Sequence, residues 1–563
     1  MRNQGILIVL CLLLQLFPSN GATAETTVGG YSTEQAMRLG EQMYRQGLLP
    51  SGEPMLAYVQ GDIEVNGTMF SCESCHLRSG LGTAEGTIIT LPTNGGKLFK
   101  PLHRGAEIDV KPDRSKLASP FQSQDIRPGY TDELLRNAIW AGVDSGGREL
   151  SETMPRYELE PDDMDILVHY LKNLSVEHSP GVDDKTLTFA TVITDDVSDT
   201  DRQALLNVLQ AYFKDRNVQN RQEERRSQGG PFYKQDRYTA YRRLELLVWD
   251  LKGPAETWPG QLEAYYQDKP VFALLGGISN QNWAPIHRFS EQNKIPCLFP
   301  QTPFPAIDEP NWYTLYFSKG YYQEGEATAR FLRPANDSQP PKIVQIVRDH
   351  KDSLAISRGF AETWRQLGMP TPPTVAIGAA KEKAHDFWMN IAKAYPDATL
   401  LLWLPAEDLP AAERYWGEDP RPKMIFSSSL LKQKYDAIPK GLRDNSLITI
   451  PHRLPDELDS QMGFIKKWLQ VRNIQETNLE IQAKGYFINW MMTGALRMMG
   501  DDFYRDYFFD VIDMMNDETY AIANYPRLSF GPAQRYASKG CFLVEIQENE
   551  PLSLVPRSPW VIH

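Results

Sequence analysis

The sequence has no long apolar run after its opening residues. Beyond Phe17 no segment approaches the roughly 20 residues needed to cross a bilayer, which excludes an internal membrane helix. Cations are in deficit: 59 Lys and Arg stand against 72 Asp and Glu, a formal net charge of −13. That balance excludes nucleic acid as the expected partner. It fits docking to basic protein surfaces, or a solvated acidic exterior with no specific role. Catalytic constellations are also missing. No Ser/His/Asp set and no cluster of metal ligands stands out, and Gly276-Gly277 alone is too short for a nucleotide fingerprint. The expectation is a protein that is not an enzyme.

What is present begins with length. The 563 residues suffice for several domains, and 41% hydrophobic with 23% charged residues is ordinary for globular chains. The N-terminus has the pattern of a secretory signal. Arg2 precedes an apolar core from Ile6 to Phe17, Pro18 breaks it, and Ala22-Thr23-Ala24 is a small-residue cleavage site. Residues 1–24 are expected to be removed, leaving Glu25 first and a periplasmic protein. Cys11 follows Leu10, where a lipoprotein signal has a small residue, so it is read as removed with the leader. An uncleaved anchor is the alternative.

The central motif is Cys72-Glu73-Ser74-Cys75-His76, the attachment signature of c-type haem. The two thiols add across the haem vinyl groups, and two intervening residues span the distance between them. A helical turn then places His76 beneath the iron. A zinc half-site and a thioredoxin-like redox pair are the alternatives. Export fits the haem, because covalent attachment takes place outside the bacterial inner membrane. Cys297 and Cys541 remain, either as a disulfide or as buried small apolar residues.

Around this motif lie helical patterns. Ser32-x-x-Gln35 is a capping box opening a helix with Ala36, Leu39, Gly40 and Met43 on one face, and Gly47 ends it. Thr131 to Gly142 and a helix opening at Pro161 follow. Residues 32–174 resemble a class I, monohaem cytochrome c. The resemblance rests on Cys72-x-x-Cys75-His76, Tyr130-Thr131-Asp132-Glu133-Leu134-Leu135, Gly147-Arg148-x-Leu150, Met154-Pro155-x-Tyr157 and Tyr170-Leu171. It implies an all-α domain over residues 25–178, one covalent haem c on Cys72 and Cys75, His76 as proximal iron ligand and Met154 as distal ligand. It also implies a small-on-aromatic helix crossing of Gly40 on Tyr170. A His/Met pair raises the reduction potential and fills the sixth site. Met154 precedes Pro155 in a Gly-rich, non-helical stretch, whereas Met164 sits on a helical apolar stripe and is expected in the core. His103 and His169 are the rival ligands. One departure stands out: about 25 residues separate the first helix from the motif, where the family has few.

After a linker at 179–184, strands and helices alternate, which predicts parallel sheets covered on both faces. Two consecutive sets predict two lobes. Residues 185–548 resemble the type I periplasmic binding proteins of the leucine/isoleucine/valine class, with residues 549–563 as a tail. The Gly276-Gly277 turn leading to Ser279, and Ile295-Pro296 opening the next strand, carry this likeness. It implies a small ligand between the lobes, held by Ser279 and Thr302 with backbone N–H groups. Ordinary capping and turn chemistry is the other reading of both residues. The family's early second-lobe Tyr-Gly pair is missing from Arg348-Asp349-His350-Lys351-Asp352-Ser353, so a branched-chain amino acid is not implied. Trp283 and Trp403 are expected in the core or lining a cleft.

The whole implies an exported electron-transfer protein acting with a periplasmic redox partner such as a dehydrogenase, its second half docking a partner or a small ligand. The alternative is a periplasmic solute-binding or sensing protein whose haem reports redox state.

Overall fold

A computed structural model describes residues 27–85, 88–103, 125–228, 242–334, 339–378, 384–416, 421–515, 524–532, 534–548 and 552–562. The leader expected at 1–24 lies outside the described residues. The chain forms two compact units, Met1–Val176 and Glu177–His563.

In the first unit, helix α1 (Thr33–Gln46) opens on the capping box: Ser32 Oγ accepts from Gln35 N–H, and the Gln35 side chain accepts from Ser32 N–H. Gly47, at φ 67°, closes it in the left-handed conformation that glycine adopts without strain. Helix α2 (Cys72–His76) is a single turn and α3 (Gly95–Leu98) another. Helix α4 (Asp132–Ala141) runs from a Thr131 cap to Gly142, and α5 (Pro161–Asn173) starts on its proline. Helices α1 and α5 cross at Gly40, where a Cβ would collide with Tyr170 Cβ and lie 3.0 Å from the Ile166 carbonyl oxygen. Met164 is buried in the core, with Met43, Tyr44, Leu167 and Tyr170.

The unit is not all-α. Strands β1 (Leu56–Val59), β2 (Ile63–Asn66) and β3 (Arg156–Glu158) form an antiparallel sheet in the order β2-β1-β3. The residues between the first helix and the Cys motif therefore have a use: they fold into a hairpin whose β1 pairs with the segment after Met154-Pro155, Tyr58 opposite Arg156.

The second unit has two lobes, each on a parallel sheet. The first contains β4 (Thr186–Thr194), β5 (Arg243–Leu251), β6 (Ala273–Leu275), β7 (Cys297–Leu298) and β8 (Thr314–Leu315), in the order β5-β4-β6-β7-β8. The second contains β9 (Ile343–Val347), β10 (Thr374–Ala376), β11 (Thr399–Trp403), β12 (Met424–Ser427) and β13 (Ser446–Ile450), in the order β10-β9-β11-β12-β13. Both are doubly wound, with the order reversing beside the first strand. Val344, Ile346, Leu400, Leu401 and Leu402 are all buried, as expected of strands covered on both faces.

Helix α6 (Asp199–Gln228) continues well into the charged stretch after Phe213. Helices α7 (Trp258–Asp268) and α8 (Ala284–Gln292) complete the βα alternation of the first lobe; α9 (Tyr321–Leu332), α10 (Lys351–Gln366), α11 (Ala384–Ala394) and α12 (Leu409–Trp416) belong to the second. The chain then returns to the first lobe through α13 (Pro455–Val471), α14 (Leu479–Met499) and α15 (Arg505–Met514), whose Phe487, Met491, Met492 and Phe508 pack with Phe272 and Phe299. It goes back to add β14 (Gly540–Gln547), antiparallel to β13. The lobes are thus joined by three crossings. They are hydrogen-bonded together: Tyr316 N–H donates to Arg535 O at 2.8 Å, Ala537 N–H to Tyr316 O at 3.0 Å, and Arg453 N–H to Asn524 O at 2.9 Å.

Two boundaries and one cysteine alternative differ from the sequence reading. The stretch at 179–184 is not a free spacer, since Ser179 N–H donates to Phe503 O and Thr188 N–H to Gly181 O. Residues 549–563 are not simply a tail, because β15 (Ser553–Pro556) pairs antiparallel with β14. Cys297 and Cys541 are both buried and free, each on a strand of a different lobe, so they act as small apolar residues and not as a disulfide.

Candidate functional sites

The Cys motif occupies one helical turn, clasped by the loop that follows it. Gly82 N–H donates to His76 O at 3.1 Å, and Thr90 Oγ1 donates to Cys75 O at 2.8 Å. His76 Nδ1 lies 2.9 Å from the carbonyl oxygen of Leu91. A carbonyl only accepts, so Nδ1 carries the hydrogen and Nε2 keeps its lone pair. Burial lowers the His76 pKa against the raising effect of that bond, which keeps the ring neutral and able to ligate.

The two thiols are free. Burial pushes Cys72 up to about 12, with the Tyr157 hydroxyl working against it. A thioredoxin-like pair needs a lowered thiol pKa, so this environment disfavours that alternative. Among the described residues no group of three or more His, Cys, Asp or Glu completes a metal site of the zinc type.

Met154 sits on a bend, half-buried and outside the apolar core. Two bonds from Arg156 shape its loop, to Met154 O at 2.5 Å and to Leu150 O at 3.0 Å. Tyr157, three residues on, donates its hydroxyl to Phe70 O, just ahead of the Cys motif. The Met154 loop is therefore pinned to the β1–β2 hairpin and to the residues leading into Cys72. A neutral, half-buried imidazole, two cysteines free of a disulfide on one turn and a methionine spared from core packing fit a covalent haem with His/Met ligation. The rival His169 is half-buried on α5, and the His103 side chain lies outside the described residues.

The second site is a cleft between the lobes of the second unit. It has a volume of about 320 Å³ and lies at the carboxyl ends of the strands, where doubly wound sheets bind ligands. Gln301, Thr302, Tyr321, His452, Lys484 and Tyr525 are among its lining residues. The structure treats the two sequence-predicted ligand residues differently. Thr302 lines the cleft, though its hydroxyl donates to Gln281 O at 3.2 Å and accepts from Phe304 N–H at 3.1 Å. Ser279 is fully buried and outside the lining; its Oγ accepts from Gln281 N–H at 3.0 Å. Trp283 and Trp403 are fully buried core residues.

The C-terminal elements supply what sequence reasoning missed. Lys484 Nζ and Glu480 Oε1, one turn apart on α14, form an ion pair of 2.6 Å. Lys484 holds the Glu480 carboxyl down at about 2 against burial. Burial works to lower the Lys484 pKa, but Glu480 and Tyr525 leave it raised. Gln433, from the second lobe, reaches the other oxygen of Glu480 at 3.4 Å. A Glu-x-x-x-Lys spacing was visible in the sequence, but it ordinarily marks a solvated helix face. Only the fold turns that face into a cleft wall.

No family model matches the chain, and no curated protein matches it. Solved structures do. An ABC transporter substrate-binding protein from Sphaerobacter thermophilus is similar at 11% identity over 67% of this chain and 99% of its own, with a TM-score of 0.47. A branched-chain amino acid ABC transporter from Thermus thermophilus with bound valine is similar at 13% identity over 68% and 98%, with a TM-score of 0.46. A solute-binding protein of an ABC transporter from Rhodopseudomonas palustris, in complex with 3,4-dihydroxybenzoic acid, is similar at 13% identity over 67% and 98%, with a TM-score of 0.43.

Proposed function

We propose that this chain is an exported, periplasmic solute-binding or sensing protein whose first unit carries one covalent haem c. The observation that carries the ligand-binding half is the cleft itself. Two doubly wound sheets direct their strand ends into it, and three hydrogen-bonded crossings join the lobes, an arrangement that allows opening and closing. No described helix is long and apolar enough to cross a membrane. The acidic net charge favours protein or small-molecule partners over nucleic acid.

In the first unit Cys72 and Cys75 would hold the haem covalently, with His76 and Met154 as the residues that would ligate its iron. Bound there, the haem supplies a one-electron couple. Leu91 orients His76 by accepting from Nδ1, which leaves Nε2 free to ligate. Arg156 and Tyr157 hold the Met154 loop in place.

A second reading makes electron transfer primary, with the lobes docking a periplasmic redox protein such as a dehydrogenase. The His76 ring, fixed by Leu91 with Nε2 free to ligate, supports the haem that this reading makes primary. Neither reading makes the chain an enzyme.

One experiment separates them. Haem-loaded protein is screened by thermal shift against small uncharged, anionic and cationic metabolites, and its reduction potential is measured with and without each hit. A hit that also moves the potential supports sensing. Stabilisation by no small molecule, with fast reduction by a periplasmic dehydrogenase, would overturn the solute-binding reading in favour of the second. Met154→Ala should abolish the far-red methionine–iron band; an unchanged band would remove Met154 as ligand.

A further inference from the structure

Gln301 and His452 both line the cleft, and each has a buried side-chain nitrogen, Nε2, without a hydrogen-bond partner among the described residues. They come from opposite sides. Gln301 follows β7 of the first lobe, and His452 follows β13 of the second. A buried polar nitrogen is costly to leave unpaired, so two of them on residues that line one cavity mark positions that an entering ligand would satisfy.

Their chemistry is complementary. Gln301 Nε2 is an amide nitrogen and can only donate. His452 Nδ1 lies 2.8 Å from the carbonyl of Arg453, so it carries the ring hydrogen. Burial lowers the His452 pKa and keeps the ring neutral, against the raising influence of Glu480. Its Nε2 is therefore an acceptor. Among the buried side-chain atoms of the described lining residues, one unpaired donor and one unpaired acceptor remain.

The charged groups of the cleft are already committed. Lys484, the only Lys or Arg among the described lining residues, is paired with Glu480 at 2.6 Å. Asp201 accepts from Asn478 Nδ2 at 2.7 Å and from Ser198 Oγ at 2.9 Å. With His452 neutral, two acids and one base leave the lining with an excess negative charge. A carboxylate entering here would meet no free cation and could accept from Gln301 but give nothing to His452. An ammonium would do the reverse and would compete with Lys484 for Glu480. Phe317 and Tyr525, which flank Lys484 Nζ at 5.7 and 5.5 Å from their ring centroids, make one wall aromatic.

We infer that the cleft takes an uncharged ligand bearing a group that both accepts and donates a hydrogen bond, a hydroxyl or a primary amide, bridging Gln301 and His452. This rests on the ligand-binding reading above.

The test is titration calorimetry of the full-length, haem-loaded protein with four probes of matched shape: benzamide, benzyl alcohol, benzoate and benzylamine. The two uncharged probes should bind at least about tenfold more tightly than either charged one, the discrimination that one unpaired polar group produces. Gln301→Ala and His452→Phe should each weaken benzamide by about tenfold. The rank order on the unaltered protein stands as evidence even where a variant folds poorly. Benzoate or benzylamine binding as tightly as benzamide would overturn the ligand class and leave the binding reading intact. Heat from none of the four would overturn both.

Discussion

Lys351 Nζ donates to the carbonyl oxygen of Asn280 at 2.8 Å. Lys351 is the first residue of α10 in the second lobe, and Asn280 lines the cleft from the first, so the bond ties one lobe to the other. A second tie runs beside it. Arg358, farther along α10, pairs with Asp308 at 2.5 Å. Both partners of that pair are well exposed, at 44% and 63%, so it contributes little by itself. Two weak ties can still decide an equilibrium between open and closed lobes, because a difference of about 1.4 kcal/mol shifts the populations tenfold.

The double variant Lys351→Met, Arg358→Met should therefore open the lobes more often without unfolding them. Amide hydrogen exchange at residues 280–282 and 303–309 should quicken severalfold, while global stability stays within about 0.5 kcal/mol of the parent. Unchanged exchange at both segments would show that the ties do not hold the lobes closed.

At the Gly40–Tyr170 crossing, two effects oppose one another. Alanine is the better helix former by about 1 kcal/mol. Its Cβ would collide with Tyr170 Cβ and press on the Ile166 carbonyl, a tightly packed place with little room to shift. Overpacking of this kind costs about 1–3 kcal/mol. Gly40→Ala should thus destabilise the first unit by up to about 2 kcal/mol, measured by amide hydrogen exchange of α1 and α5 in urea. A gain in stability would mean that the helices move apart freely.

That crossing was legible in the sequence, as were the Ser32/Gln35 capping box, the Gly47 and Gly142 stops and the two alternating βα sets. Each is written in residues close in the chain or in a repeated period. The β1–β2 hairpin was not, because its meaning lies in a partner nearly a hundred residues away, β3 beside Met154. The cleft was only half legible. Thr302 could be placed from its position after a strand, but His452, Glu480, Lys484 and Tyr525 reach the cleft through crossings that no local pattern specifies. Ser279 shows the limit from the other side. Strand-end position does not tell whether a hydroxyl faces a ligand or closes its own turn.

Glu324 sets a pH dependence. It is fully buried on α9, its Oε1 accepts from Ser429 N–H at 3.3 Å, and its Oε2 has no hydrogen-bond partner among the described residues. Burial raises its carboxyl to about 7, against the opposing bonds from the serines at 427–429. An unfolded glutamate titrates near about 4.3. Between these values the folded chain holds a proton that the unfolded chain has released. The stability this confers is full below about pH 4.3, declines as the pH rises and is gone above about 7. The group should cost the protein about 2–3 kcal/mol between pH 4.5 and 7.5, on the scale of about 1.4 kcal/mol per pH unit. Glu324→Gln, neutral throughout, should flatten that part of the stability curve and be the more stable form at pH 8. Parallel curves for parent and variant in urea unfolding would show that Glu324 is ionised in the folded state.

Ser279 and Gln301 are linked, since Ser279 N–H donates to Gln301 O at 3.2 Å, yet the two should respond differently to substitution. Ser279 Oγ accepts from Gln281 N–H within its own turn and is shut away from solvent. Ser279→Ala removes that acceptor and should lower stability by about 1 kcal/mol. It should leave the affinity for benzamide unchanged, because the side chain is not part of the cleft wall. Gln301→Ala should do the opposite, weakening the ligand with little effect on melting, because its Nε2 has no hydrogen-bond partner among the described residues to lose. Measuring both quantities on both variants separates a residue that shapes the turn from one that meets the ligand. A loss of affinity in Ser279→Ala at unchanged stability would return Ser279 to the ligand's side.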